Sequence, residues 1–264
     1  MTFRQIVLPL YGVSDEGKPF AVGTGFLMEF PPAKILVTAA HVLDERQHSV
    51  LYVPGRSALI ELQGSYHSTP APDGNRQADK IDVGLVNLPS GFDEELKAGS
   101  WFALPQMLLP SAPALAPYHY TFFGYPHTAT ETDLKARRLA SAADMYTGVC
   151  HGEKIYQAIG ADMATHIAIE FDSKRVRNQS GQVVVPKSRE GTSGGPVFIA
   201  TDGLDLPNFP NLRIAGIIIE HHSAHRSLLA TKIDSLLTLV AALHPCLARP
   251  FPYSYATPLR KTKS

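Results

Sequence analysis

The sequence predicts an all-β protein made of two small antiparallel barrels and a C-terminal α-helix. Three observations carry that expectation. Short runs rich in Val, Ile, Phe and Tyr recur between turn residues, the pattern of a barrel or sandwich rather than of alternating βαβ units. A connector over residues 104–117 holds Pro105, Pro110, Pro113 and Pro117 with little charge, which marks a boundary between two halves. One stretch alone switches to helical spacing: Ile233, Leu236, Leu237, Val240 and Leu243 recur at intervals of three and four.

In chain order, strands are expected over residues 5–10, 22–30, 34–39, 50–53, 59–62 and 82–88 of the first half. The polar segment 65–80 interrupts this set and reads as a surface loop. The second half offers strands over 120–124, 146–151, 154–159, 166–171, 182–185, 196–200 and 213–220. Six or so strands per half suit two small barrels. The helix runs over 231–243 and Pro245 ends it. The expected domains are therefore 1–105, 106–230, the helix segment 231–245, and a tail, 246–264. That tail carries Arg249, Arg260, Lys261 and Lys263 with no acid, and reads as a segment draped over the surface.

With 264 residues, 44% of them hydrophobic, the chain can bury one large core or two modest ones. Lys plus Arg and Asp plus Glu balance at 24 each, so no overall field draws in nucleic acid or an anionic membrane. No run reaches the roughly 18 apolar residues of a membrane span. The first ten residues lack the apolar core and cleavage site of a secretory signal, and the only cysteines are Cys150 and Cys246. These features favour a soluble protein of a reducing compartment, the cytoplasm, with no nucleic-acid or membrane partner.

The chemistry gathers in Gly191-Thr192-Ser193-Gly194-Gly195-Pro196, read together with Thr38-Ala39-Ala40-His41 and Asp82-Val83-Gly84-Leu85. A serine hydroxyl is a poor nucleophile unless an imidazole takes its proton and a buried carboxylate orients that imidazole. Taken alone, Gly191 to Gly195 also fits the Gly-x-Ser-x-Gly elbow of α/β-hydrolases. That elbow needs a helix after the serine and its acid and histidine further on, whereas Pro196-Val197-Phe198-Ile199 reads as strand and His41 and Asp82 lie upstream. Asp79 competes with Asp82 for the acid role. Asp82 is preferred because it opens a buried apolar run, where an ionised carboxylate needs a hydrogen-bonding partner.

Five segments in order carry a family resemblance: Gly23-Thr24-Gly25-Phe26, Thr38-Ala39-Ala40-His41, Asp82-Val83-Gly84-Leu85-Val86, Phe123-Gly124-Tyr125-Pro126 and Gly191-Thr192-Ser193-Gly194-Gly195-Pro196. Over residues 5–243 the chain resembles trypsin/chymotrypsin-like serine peptidases, and more the compact bacterial domains than the digestive enzymes. The resemblance implies two six-stranded antiparallel barrels with a cleft between them. It implies an acyl-enzyme peptidase acting on a protein or peptide, without cofactor: His41 as general base, Asp82 as its orienting carboxylate and Ser193 as nucleophile. The N–H groups of Gly191 and Ser193 would form the oxyanion hole. Ile219, Glu220 and His221 would lie on the strand that lines the substrate cleft, and Lys187 near the floor of the first specificity pocket, favouring an acidic or polar P1 side chain.

Thr192 stands where activated digestive enzymes have an aspartate paired with a freed N-terminus. Activation by clipping is therefore not expected, and other contacts or an activating protein partner must hold the oxyanion loop. Two rivals stand beside this reading: an esterase using the same triad on a different substrate, and a non-catalytic peptide-binding module of the same fold. His221, His222 and His225 invite a zinc site, but no cysteine or second motif accompanies them, so no metal is expected. Cys150 and Cys246 read as buried small hydrophobes rather than reactive groups.

Overall fold

The computed structural model describes residues 5–133, 138–172, 182, 190–200 and 212–245. Residues 183–185 of the strand expected over 182–185, Lys187, Cys246 and the basic tail lie outside these residues. The first half supplies β1 (Val7–Val13), β2 (Pro19–Phe30), β3 (Ala33–Ala39), α1 (Ala40–Asp44), β4 (Tyr52–Pro54), β5 (Leu59–Glu61), β6 (Ser65–Ser68) and β7 (Val83–Asn87). A short helix, α2 (Phe92–Glu95), precedes the proline-rich connector. The second half holds β8 (His119–Gly124), β9 (Thr130–Asp133), β10 (Arg138–Ser141), β11 (Asp144–Val149), α3 (Glu153–Ile159), β12 (His166–Glu170), β13 (Pro196–Ala200), β14 (Leu212–His222), β15 (Ser227–Lys232) and α4 (Ile233–Leu243).

The strands form two curled antiparallel sheets and a small hairpin of β9 and β10. The first sheet runs β5-β4-β1-β2-β3-β7-β6 and the second β11-β8-β13-β14-β15-β12. The architecture is the expected all-β double barrel with a C-terminal helix. Pro19 and Pro196 each open their strand, where a missing N–H breaks no ladder bond.

Besides the short α1 and α2 and the β9–β10 hairpin, none of them expected, three departures have a clear physical reason. The first sheet has seven strands because β6, inside the segment expected as a loop, pairs with β7 from Ser65↔Asn87 to Ser68↔Gly84. It is a polar edge strand, so no apolar alternation announces it. Residues 154–159 are helix rather than strand, fixed between Gly152 and a left-handed Gly160, with Tyr156 as their buried anchor. Residues 227–232 form β15, whose Ser227, Thr231 and Lys232 are buried with its apolar residues. Buried polar residues hide the strand from a hydrophobic pattern.

The cores explain how the halves hold together. One apolar cluster fills the second barrel with Tyr120, Phe122, Tyr146, Ile167 and Ile218. Another centres on Leu8, Leu10, Leu27 and Leu36 in the first barrel and reaches Tyr156, Ile219 and Leu229 of the second. A third spans the seam: Phe26, Val37 and Leu85 meet Phe123, Phe198 and Ile217, and α4 adds Ile233, Leu236 and Val240. Full burial of each such side chain stabilises by about 1.5–3 kcal/mol, so the seam is a welded core and not a hinge. Among the described residues no helix is long and apolar enough to cross a membrane.

Candidate active site

Strand register brings the first two candidate residues together. β3 and β7 pair through Thr38↔Gly84 and Ala39↔Val83, so the end of β3 that turns into α1 lies beside the start of β7. His41 follows the one and Asp82 precedes the other. The Asp82 carbonyl accepts the Ala40 N–H at 2.9 Å. Its carboxylate accepts the His41 N–H through Oδ1 at 2.9 Å and contacts His41 Nδ1 through Oδ2 at 2.5 Å. A carboxylate only accepts, so Nδ1 carries a proton, and in the neutral imidazole the lone pair is therefore on Nε2. Asp82 is 7% exposed and its φ of 48° is left-handed, a strained conformation held by its surroundings.

Those surroundings bridge both halves. Thr231 on β15 donates its hydroxyl to the Ile81 carbonyl at 2.6 Å. Buried His166 on β12 meets the Lys80 carbonyl through Nε2 at 2.6 Å, and a carbonyl can only accept that bond. On the far side Thr69 donates its N–H to the Val83 carbonyl at 2.8 Å and receives the Val83 N–H on its hydroxyl at 3.1 Å.

Asp79, the rival acid, is occupied elsewhere. It accepts from Arg76 Nη1 at 2.7 Å and from the Thr69 hydroxyl at 2.5 Å, while Arg76 Nε also donates to Asp44 at 2.7 Å. Burial works to lower the Arg76 pKa, but the bonds and charges of Asp44 and Asp79 outweigh it and raise it. This trio braces the loop before Asp82.

The serine segment is fitted to the first barrel through its glycines. Gly191 and Gly194 have φ of 90° and 88°, open to glycine and costly to other residues. A Cβ on Gly194 would sit 2.1 Å from the Thr24 carbonyl oxygen and from Thr38 Oγ1, and 2.9 Å from the Ala39 nitrogen. Gly194, the neighbour of half-buried Ser193, therefore packs against the end of β3 that leads into His41. A Cβ on Gly191 would lie 2.6 Å from the Tyr125 carbonyl oxygen. The Phe-Gly-Tyr-Pro segment is the wall that the serine loop leans on.

Peptide planarity fixes two N–H directions. His127 N–H binds the Glu190 carbonyl at 2.7 Å, which turns the Gly191 N–H to the opposite side of that plane. Gly195 N–H binds the Thr192 carbonyl at 3.1 Å, which does the same for the Ser193 N–H. Among the described residues neither N–H has an acceptor, nor does any group bond the Ser193 hydroxyl or His41 Nε2. Two oriented N–H groups without an acceptor among the described residues are suited to bind an anionic oxygen.

A cleft of about 530 Å³ opens beside His41 and Asp82, lined also by Arg76, Lys80, Ile219 and Glu220. Ile219 falls at a register shift between Ile218↔Ala230 and Glu220↔Leu229. β13 accompanies β14 only to Ile217, and Gly194 and Gly195 carry the contact to Ile218. Among the described residues, 219–222 are thus paired with β15 on one edge alone. His221 does not line the cleft: its ring meets Phe171 edge-on at 5.4 Å. Glu220 lies 3.2 Å from His222 Nε2. Among the described residues no three His, Cys, Asp or Glu are grouped to hold a metal. Thr24, Thr231, His166 and Arg76 all brace the site without having been singled out by sequence. Only Thr24 left a trace, as a polar residue between the glycines of a buried strand.

No family model matches the chain, and no curated protein does. Among solved structures, a Glu endopeptidase in complex with MPD is similar with a TM-score of 0.50 and 12% identity, over 90% of this chain and 91% of that one. The Rv3671c protease of M. tuberculosis in its active form is similar with a TM-score of 0.44 and 13% identity, over 90% of this chain and 81% of that one. The first likeness shows the fold.

Proposed function

We propose that this chain, which has the two-barrel fold of trypsin-like serine proteases, is a serine endopeptidase working through His41, Asp82 and Ser193. One observation carries the proposal: Asp82 holds His41 just after the strand end against which Gly194, the neighbour of Ser193, is fitted. In the reaction Ser193 Oγ attacks the scissile carbonyl carbon as its proton passes to His41 Nε2. The carbonyl oxygen becomes an oxyanion between the Gly191 and Ser193 N–H groups. The intermediate collapses, the C–N bond breaks, and His41 returns the proton to the departing amine. Water then attacks the acyl-enzyme by the same route in reverse, releasing the acid and restoring Ser193.

The edge at 219–222, unpaired among the described residues, favours a peptide over a simple ester, since an extended chain adds backbone hydrogen bonds along such an edge. A small ester has no backbone to lay there. The P1 preference proposed is acidic or polar, from the place of Lys187 in the sequence; a peptide library varied at P1, with Lys187→Ala for comparison, tests it. The test of the main proposal is labelling by a fluorophosphonate together with cleavage of a denatured protein. Labelling of wild type and not of Ser193→Ala, with new peptide ends, is the expected result. Labelling with ester but no peptide hydrolysis would make it an esterase, and silence in both would make it a binding module.

A further inference from the structure

Resting on the hydrolase proposal, we infer that Thr24 is the positioning residue that sets the oxyanion loop. Thr24 is fully buried, and every polar atom it owns is spent on the site. Its N–H donates to the Ser193 carbonyl at 2.8 Å, and its carbonyl accepts the Thr38 hydroxyl at 2.7 Å. Its hydroxyl donates to the Gly191 carbonyl at 2.7 Å and accepts the Tyr125 N–H at 2.8 Å. The direction of that relay is not free. An N–H can only donate, so the single hydroxyl proton must go to Gly191.

The pattern along the loop gives this its meaning. Four successive peptide planes run from Glu190 to Gly194. The first and third present the Gly191 and Ser193 N–H groups, and His127 and Gly195 hold their carbonyls. The second and fourth present the Gly191 and Ser193 carbonyls, and Thr24 holds both. Left unheld, the second plane turns readily, because Gly191 is the residue with the widest backbone freedom. Turning it carries the neighbouring N–H groups away from the substrate oxygen. Thr192 offers no carboxylate to hold the loop, and Thr24, from the other barrel, does that work instead.

Thr24→Val keeps the shape and removes the relay, whereas Thr24→Ser keeps the relay. Thr24→Val is expected to lower kcat/KM about 10- to 100-fold, with a matching loss of affinity for a peptide boronic acid, whose tetrahedral adduct uses the N–H pair. Binding of the uncleaved peptide, measured in a Ser193→Ala background, is expected to stay within about twofold, and Thr24→Ser to keep near wild-type rates. A merely structural role would weaken boronate and peptide alike, and that result overturns the inference. So does an active wild type whose Thr24→Val variant cleaves normally. A wild type that neither labels nor cleaves overturns the hydrolase proposal and this inference with it. Melting curves accompany each variant, and if Thr24→Val melts below the assay temperature, Thr24→Cys, of similar size with a weaker hydrogen bond, is measured in its place.

Discussion

Both carboxylate oxygens of Asp82 are committed to His41, one to its backbone N–H at 2.9 Å and one to Nδ1 at 2.5 Å. Asp82→Asn offers an amide where His41 needs an acceptor and favours the wrong tautomer. Turnover should drop by about four orders of magnitude, as in comparable triads, with the fold intact by circular dichroism. Asp79→Asn, which touches Arg76 and not His41, should cost stability before it costs turnover. Equal losses of turnover in the two variants would mean that Asp82 has no special role.

Ser193, His41 and Asp82 should behave as one unit. Single removal of Ser193 or His41 is expected to lower turnover by about four to six orders of magnitude, and the double variant to be hardly worse. Single-turnover assays measure this directly, and multiplicative losses would dissolve the unit.

Gly191→Ala places a Cβ 2.6 Å from the Tyr125 carbonyl oxygen at a φ of 90°. A misaimed N–H there should cost about 10²–10³ in kcat. Gly152→Ala, with nothing within 4 Å and a φ of −77°, serves as the silent control. Matching activities in the two variants would remove Gly191 from the oxyanion hole.

Thr231→Val strands the Ile81 carbonyl beside Asp82. The expected cost is about 1–3 kcal/mol, read as a lower urea midpoint at unchanged slope. An unchanged midpoint would show that water replaces the hydroxyl.

Cys150 is buried, and desolvation pushes its thiol up from 9.0 to about 12. The folded state therefore keeps the proton that the unfolded chain gives up. The stability this contributes is complete below pH 9 and is lost as pH rises toward 12. Ellman's reagent should leave Cys150 unmodified in the folded protein at neutral pH and modify it in urea, and Cys150→Ala should flatten the alkaline fall in melting temperature. Rapid labelling in the folded protein would contradict the burial.

Much of this site was legible because its parts are local. Thr38 to His41, the apolar run opened by Asp82 and the glycines around Ser193 each carry their conformational demand in a few adjacent residues. Burial does not separate Asp82 from Asp79, whose side chains are 10% and 6% exposed; their partners do, His41 for the one and Arg76 for the other. β6 and β15 escaped because they are polar or mixed strands made by distant neighbours, whereas α3 escaped although its bounding Gly152 and Gly160 are local. His166 and Thr231 look ordinary in sequence and Thr24 shows only as the polar member of Gly23-Thr24-Gly25-Phe26, since their roles exist across the seam.

That seam has a consequence for the life of the chain. The His41–Asp82 pair belongs to the first barrel, yet the loop that strains Asp82 into place is tied to Thr231, and Ser193 arrives on the second barrel. During synthesis from the N-terminus, His41 and Asp82 are made before Ser193 and Thr231, so no shorter product owns the assembled site. Under the proposed function, cleaving power would switch on only once β15 is in place.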